Sequence, residues 1–202
     1  MLFKTAWSVI ESFAQDSKHL GAKPAMIAVL HTWGQNLSLH PHLHCIVPGG
    51  GVTQNGNRAA DRWKSARSKG KFLFPVKAMS QVFRARFVAG LRKRFPDQSR
   101  TFFSSLFDKP WIVYAKPPFQ SPKAVVEYLG RYTHKIAISN HRIKSIDNGR
   151  VTFQYKDYRK GAQKLQITLS DQEFICTGNP APILSAYLAQ RVCQNPPLWL
   201  PF

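Results

Sequence analysis

Three of the seven histidines fall within five residues, His40-Pro41-His42-Leu43-His44, shortly before a glycine run at Gly49-Gly50-Gly51. Alternate side chains of an extended segment share a face, so His40, His42 and His44 are expected to point the same way. Neutral imidazole nitrogens bind divalent transition metals, and two or three from one strand leave coordination positions open for substrate oxygens. The same pattern also fits a solvated polar strand, or a histidine pair satisfied by backbone groups.

Charge narrows the choice. Across 202 residues, 29 Lys and Arg stand against 10 Asp and Glu, a net charge of +19. Such an excess attracts polyanions, and a phosphate backbone is the expected partner. An anionic membrane fits less well, because the chain has neither an uninterrupted apolar stretch of spanning length nor a concentrated polybasic tail. Hydrophobic residues make up 44% of the chain, enough for a globular body. Cys45, Cys176 and Cys193 are odd in number and lack Cys-x-x-Cys spacing. A disulfide framework or a cysteine zinc ribbon is therefore not expected. Near the start, Phe3, Ala6, Trp7, Ile10, Phe13 and Ala14 recur at helical spacing, with Glu11, Asp16 and Lys18 interrupting. This reads as an amphipathic helix closing near Gly21 rather than an export signal, and a cytoplasmic protein is expected.

Along the chain, residues 26–33 read as a buried strand ending in His31, Thr32 and Trp33, residues 35–41 as a connection, and residues 43–47 as a second strand entering the glycine turn. Asn55-Gly56 supplies turn chemistry before a basic, weakly structured stretch over residues 58–71, where Arg62, Lys64, Arg67 and Lys69 surround Trp63. A short strand is predicted over 72–76. A helix follows over 78–95, with Met79, Val82, Phe83 and Leu91 inward and Arg84, Arg92, Lys93 and Arg94 outward. Residues 111–115 read as another strand. Ser121-Pro122, a capping serine with proline in the first turn, opens a helix running to about Tyr132. Residues 135–146, 151–156 and 164–169 alternate like antiparallel strands, with Asp147-Asn148-Gly149 as a hairpin turn. This mixed order predicts an α+β domain with a mainly antiparallel sheet flanked by helices. From Cys176 to Phe202 there are five prolines, no acidic residue and a single basic one, Arg191. That segment is expected to be a separate tail with a short helix around 183–192, leaving 1–175 as the principal domain.

Tyr128 and Tyr132 stand four apart on the helix opened by Ser121-Pro122, so both rings are expected on one face. Alone they fit better as two rings covering a sheet. Joined to the histidines and the charge, they fit one chemistry. A tyrosine hydroxyl can attack a phosphodiester, but its pKa near 10 makes it a weak nucleophile without help. A histidine-held divalent ion would polarise the phosphate, and a basic surface would deliver the strand. Phe153, Tyr155 and Tyr158, interleaved with Lys156, Arg159 and Lys160, read either as a stacking surface for bases or as hairpin packing.

The strings HTWGQNLSLHPHLHCIVPGGG (His31 to Gly51), YAKPPF (Tyr114 to Phe119) and YLGRYTHKIAISNHR (Tyr128 to Arg142) resemble the two-tyrosine HUH transposases of rolling-circle insertion sequences. The resemblance covers roughly residues 1 to 175. It implies an HUH endonuclease domain that cuts one DNA strand, forms a 5′-phosphotyrosine, releases a 3′-hydroxyl and transfers the strand. By that resemblance Tyr128 and Tyr132 are the nucleophiles, and His42 and His44 bind Mg²⁺ or Mn²⁺. Gln35, seven residues before His42, is the preferred third ligand, with His40 the competitor. Because Mn²⁺ tolerates imidazole better than Mg²⁺, stronger support from Mn²⁺ is expected. Arg131, Lys135, His141 and Arg142 flank the tyrosines and are candidate DNA-binding residues, although any one of them also fits a solvated basic face. The implied partner is single-stranded DNA, at the element's ends and at its target, with no membrane and no small-molecule cofactor. Members of the family commonly begin with a cysteine-rich zinc-binding segment that this sequence does not show, and the composition after residue 175 reads as a truncated or frameshifted end. The rival readings are a nickase for replication or mobilisation, a non-catalytic DNA-binding remnant, and a zinc hydrolase using His40, His42 and His44.

Overall fold

Proline, glycine and capping serines set where the elements begin and end. A computed structural model describes residues 1–53, 61–66, 73–119, 121–133 and 138–178, except for the side chains of residues 131–133, 159 and 177–178. Within them lie helices α1 (Leu2–Gln15), α2 (Val76–Arg94), α3 (Arg100–Ser105), α4 (Pro122–Thr133) and α5 (Asp171–Gly178). The strands are β1 (Ile27–Trp33), β2 (Leu39–Ile46), β3 (Gly50–Thr53), β4 (Arg62–Ser65), β5 (Ile143–Asp147), β6 (Arg150–Asp157) and β7 (Gln163–Ser170). They form three sheets, β1-β2, β3-β4 and β5-β6-β7, and the last two are antiparallel throughout. The chain is α+β, with antiparallel sheets flanked by helices, an architecture compatible with an HUH-type domain.

Contacts divide the chain into two compact units, residues 1–29 with 43–130, and residues 30–42 with 131 onward. In the first, α1 buries Val9, Ile10 and Ala14; Ile10 and Ala14 belong to the stripe its sequence spacing predicts, whereas Val9 is not part of it and Phe3 is exposed. Ile10, Ala14, Leu20, Ala22 and Phe74 form a core to which Phe13, Met26, Val47, Leu73 and Met79 add apolar surface. Farther along, Val88 and Leu91 of α2 are buried, as are Phe103, Leu106 and Trp111. In the second unit β5, β6 and β7 form a meander in sequence order. Asn148 and Gly149 both have positive φ, 48° and 68°, which is the geometry of a two-residue turn matched to strand twist. Phe153 of β6 has no exposed surface and meets Phe174 of α5 at 5.8 Å between ring centroids.

Several boundaries differ from the sequence reading, each for a local reason. β1 is mostly half-exposed rather than buried, with only Thr32 inside. β2 starts at Leu39, so His40 and Pro41 lie in the strand and the connection shrinks to residues 34–38. Gly50 and Gly51 are not a turn but the start of β3. A Cβ on Gly50 would stand 2.5 Å from the Lys64 carbonyl, and one on Gly51 would strike that of Lys23, so both glycines permit close backbone approach. The basic stretch contains β4. No strand covers described residues 73–76, because Pro75 caps α2 and Val76 already belongs to the helix. Residues 111–115 carry no ladder either. Trp111 is held instead by its Nε1, which donates to the Leu106 carbonyl at 2.9 Å, and by Ser80, whose hydroxyl donates to the Trp111 carbonyl. Arg84 is not simply outward: its Nη1 donates to the carbonyls of Phe107 and Lys109, and its guanidinium lies over the Phe107 ring. The short helix α3, capped by Ser99 accepting from the Phe102 amide, is an element the sequence reading did not contain. β5 begins only at Ile143, after a 3-10 turn over Asn140–Arg142. Asn55-Gly56, the outer parts of the basic stretch and the helix expected near 183–192 lie outside the described residues. Among the described residues no helix is long and apolar enough to cross a membrane.

Candidate active site

The turn joining β1 to β2 is tightly specified by its own residues. The Gly34 amide donates to the Ser38 carbonyl at 2.8 Å, and Asn36 Oδ1 accepts from the Ser38 amide and hydroxyl at 3.2 and 2.7 Å. Leu37 takes a left-handed φ of 62° while keeping its side chain buried at 2% exposure. A leucine carries a cost of roughly 1–2 kcal/mol in that region, which burial of its side chain offsets. Arg142 fastens the same turn, because its Nη2 donates to the Gln35 carbonyl while Nε donates to the Gln154 carbonyl at 2.8 Å.

This hairpin places three imidazoles together. One ring nitrogen each from His31, His42 and His44 lies within 4.8 Å of the others. His42 and His44 were expected in such a group; His31, arriving from β1, was not. His40 belongs to the site in a different capacity. Its carbonyl accepts from Nδ1 of His42 at 2.7 Å, and its ring centroid lies 5.1 Å from that of His42. A ring whose Nδ1 donates to a carbonyl carries its lone pair on Nε2, the usual arrangement of a metal-ligating histidine. Burial also pushes the His42 pKa down from 6.5 to about 4, assisted by the neighbouring His40 and His31 rings. The ring is therefore neutral at physiological pH, as a metal ligand must be. His31 packs against Trp33 and His42 at centroid distances of 5.7 and 5.5 Å.

The donor set suits a divalent ion. Metal–nitrogen bonds of about 2.0–2.1 Å keep ligating nitrogens within roughly 4.2 Å of one another, a spacing close to that within which the three imidazoles lie. His44 also reaches the tyrosine helix: its Nδ1 lies 3.2 Å from the Tyr128 hydroxyl. Ser121 starts that helix by accepting from the Ala124 amide at 3.3 Å, so the predicted cap is the one used. Phe119, the last residue of the YAKPPF string, packs against the Tyr128 ring at 5.1 Å. Its place in that string does not reveal this contact, which sets its ring against the candidate nucleophile.

The other named residues fall as follows. Tyr132 and Arg131 lie in α4, with side chains outside the described set, and Lys135 lies outside the described residues altogether. His141 is exposed on the 3-10 turn, and Arg142, half-buried beside it, ties down the hairpin turn as above. Gln35 is half-buried in that turn. Phe153 is wholly buried, so the stacking alternative fails for that residue and packing holds. The signal that could have revealed His31 is its place at the end of one strand of a hairpin whose other strand carries two histidines.

Residues 25–177 match the model of a family described as "Putative transposase". Among curated proteins, the chain is 42% identical over 191 residues to "Putative transposase y4qJ" of Sinorhizobium fredii, covering 87% of this chain and 46% of that protein. It is 26% identical over 164 residues to the "Transposase for insertion sequence element IS801" of Pseudomonas savastanoi pv. phaseolicola, covering 79% of this chain and 40% of the other. The chain thus spans less than half the length of the curated relatives it matches. No solved structure matches it.

Proposed function

The chain belongs to the family described as "Putative transposase", and on that footing we propose that it is the strand-cutting domain of a DNA transposase acting through a 5′-phosphotyrosine. The observation that carries the reading is the approach of the Tyr128 hydroxyl to His44, itself one of three clustered imidazoles.

In this proposal Tyr128 Oη attacks a phosphorus of single-stranded DNA. The bond from phosphorus to the 3′ oxygen breaks, that oxygen leaves as a hydroxyl, and the proton it gains balances the one the phenol loses. His42 and His44 hold a divalent ion, with His31 as the nitrogen donor that the hairpin adds and Gln35 as the oxygen donor inferred from sequence. When bound, such an ion supplies positive charge to the phosphate oxygens as negative charge develops on them. Three imidazoles favour Mn²⁺ over Mg²⁺. Were the ion held by Nε2 of His44, its Nδ1 would carry the proton and donate to Tyr128 Oη. That bond stabilises the phenolate form needed for attack. Tyr132, one turn along α4, makes the second attack that transfers the strand. Arg131, Lys135, His141 and Arg142 grip the backbone, residues 1–175 are the catalytic domain, and the reaction takes place in the cytoplasm.

The test is covalent capture. Incubated with a randomised single-stranded DNA pool and Mn²⁺, the protein is expected to yield a denaturant-stable adduct that peptide mass analysis locates on Tyr128 or Tyr132. EDTA and the Tyr128→Phe, Tyr132→Phe double variant should each abolish it. An adduct indifferent to EDTA refutes the metal role. DNA binding without any adduct, on the pool or on the element's own termini, identifies a non-catalytic binding remnant.

A further inference from the structure

Trp63 is the most exposed tryptophan among the described residues, at 58%, although indoles are largely buried in folded proteins. It projects from β4, opposite Val52 of β3, which is itself 39% exposed. The ribbon's other face is occupied. Gly51 abuts the Lys23 carbonyl and Ala22, and Lys64 Nζ reaches to 2.9 Å from where a Gly21 Cβ would be, while the backbone of Lys23 pairs with Val52 along the edge of β3. The face bearing Trp63 therefore points outward from a fixed ribbon.

The indole is also held in place. Its Cζ2 and Cε2 lie 2.5 and 2.8 Å from the position a Gly50 Cβ would take, so the ring sits diagonally over a strand residue with no side chain. Its Nε1 donates to Ser65 Oγ at 3.2 Å. A ring anchored at Gly50 and Ser65 yet 58% exposed keeps much of its surface open to solvent, with less rotamer freedom left to lose on binding. The surrounding sequence is strongly cationic: residues 58–71 contain Arg58, Arg62, Lys64, Arg67, Lys69 and Lys71 against a single Asp61.

We propose that the β3-β4 ribbon is a stacking platform on which Trp63 receives a base of single-stranded DNA. Every base has a π-face, so this contact supplies affinity without sequence preference, while the cations that adjoin Trp63 in sequence attract the backbone. The inference rests on the proposed single-stranded DNA partner but not on the tyrosine chemistry, and the two are measured apart.

A fluorescein-labelled oligothymidylate is titrated with the protein in EDTA, so that no cleavage intervenes. Trp63→Ala should weaken binding about 5- to 150-fold, and Trp63→Phe should recover part of the loss. The salt dependence of binding should keep its slope, since no phosphate contact is removed. The emission that Trp63 contributes, taken as wild type minus Trp63→Phe, should be quenched by the oligonucleotide. Affinity of Trp63→Ala within twofold of wild type, absence of wild-type binding, or a shallower salt slope would overturn the platform. Trp63 emission that ignores the oligonucleotide but follows protein concentration assigns the face to a second copy and overturns it equally. A wild-type adduct on Tyr128 together with unchanged Trp63→Ala affinity sinks the platform and leaves the cutting reaction standing. Lost affinity in Trp63→Ala with no adduct in the wild type does the reverse.

Discussion

His42 should make the protein measurably less stable in mild acid, even without metal. Its side chain is 8% exposed, and burial lowers its pKa from 6.5 to about 4. The folded state therefore binds fewer protons at this site than the unfolded state between those two values, and stability falls as pH falls. The contribution is fully present above about pH 6.5, erodes as pH drops through that window, and is exhausted below pH 4. At about 1.36 kcal/mol per pH unit, moving from pH 7.5 to 5 should remove about 2 kcal/mol on account of His42 alone. The assay is urea denaturation in EDTA at both pH values, for wild type and for His42→Gln, whose amide does not titrate. Other groups contribute to both proteins, so the quantity of interest is the difference between the two pH dependences. Wild type should lose about 2 kcal/mol more than the variant. Parallel losses would show that His42 takes up its proton in the folded state as readily as in the unfolded chain, and the case for a neutral ligand enforced by burial would fail.

Two further outcomes follow from packing. Phe153→Ala empties a fully buried site in the central strand of the β5-β6-β7 meander, and should cost about 3–5 kcal/mol in chemical denaturation; a loss below about 1 kcal/mol would contradict the packing described. Arg142→Ala removes charged donors from the carbonyls of Gln35 and Gln154, and should cost about 2 kcal/mol, whereas His141→Ala on the exposed neighbour should stay within about 0.5 kcal/mol of wild type; equal melting temperatures for the two variants would refute the fastening role.

What was legible in the sequence was local. Ser121-Pro122 marked the start of α4 because both the cap and the proline act within the first turn, and Asp147-Asn148-Gly149 marked its hairpin because positive φ selects those residue types. What escaped was tertiary. Gly49-Gly50-Gly51 looked like a turn, since nothing in the chain reveals that Lys64 and Lys23 carbonyls crowd two of its members. Residues 111–115 have strand composition, yet the Trp111 indole and carbonyl are satisfied by Leu106 and Ser80 instead of a neighbouring strand. In the candidate site, period-two alternation offered His40, His42 and His44 together and the family resemblance singled out His42 and His44, which are the two of the three that lie in the cluster. His31 was not evident, because its membership depends on which strand pairs with β2. The contrast between Phe153 and Trp63 is of the same kind: both are aromatic residues amid basic ones, and only burial separates a core ring from a presented one.

The bond between His44 and Tyr128 joins residues 84 positions apart, and that separation sets an order in time. At roughly 5–20 residues per second, a ribosome delivers the histidine hairpin about 4 to 17 s before the tyrosine that would use it. The β1-β2 turn closes through contacts only a few residues apart, while Arg142, which fastens it, comes later than Tyr128. The imidazoles are thus all synthesised before the proposed nucleophile. Under the proposed chemistry, a chain interrupted ahead of α4 could hold an ion and touch nucleic acid, yet it would leave every strand it met uncut.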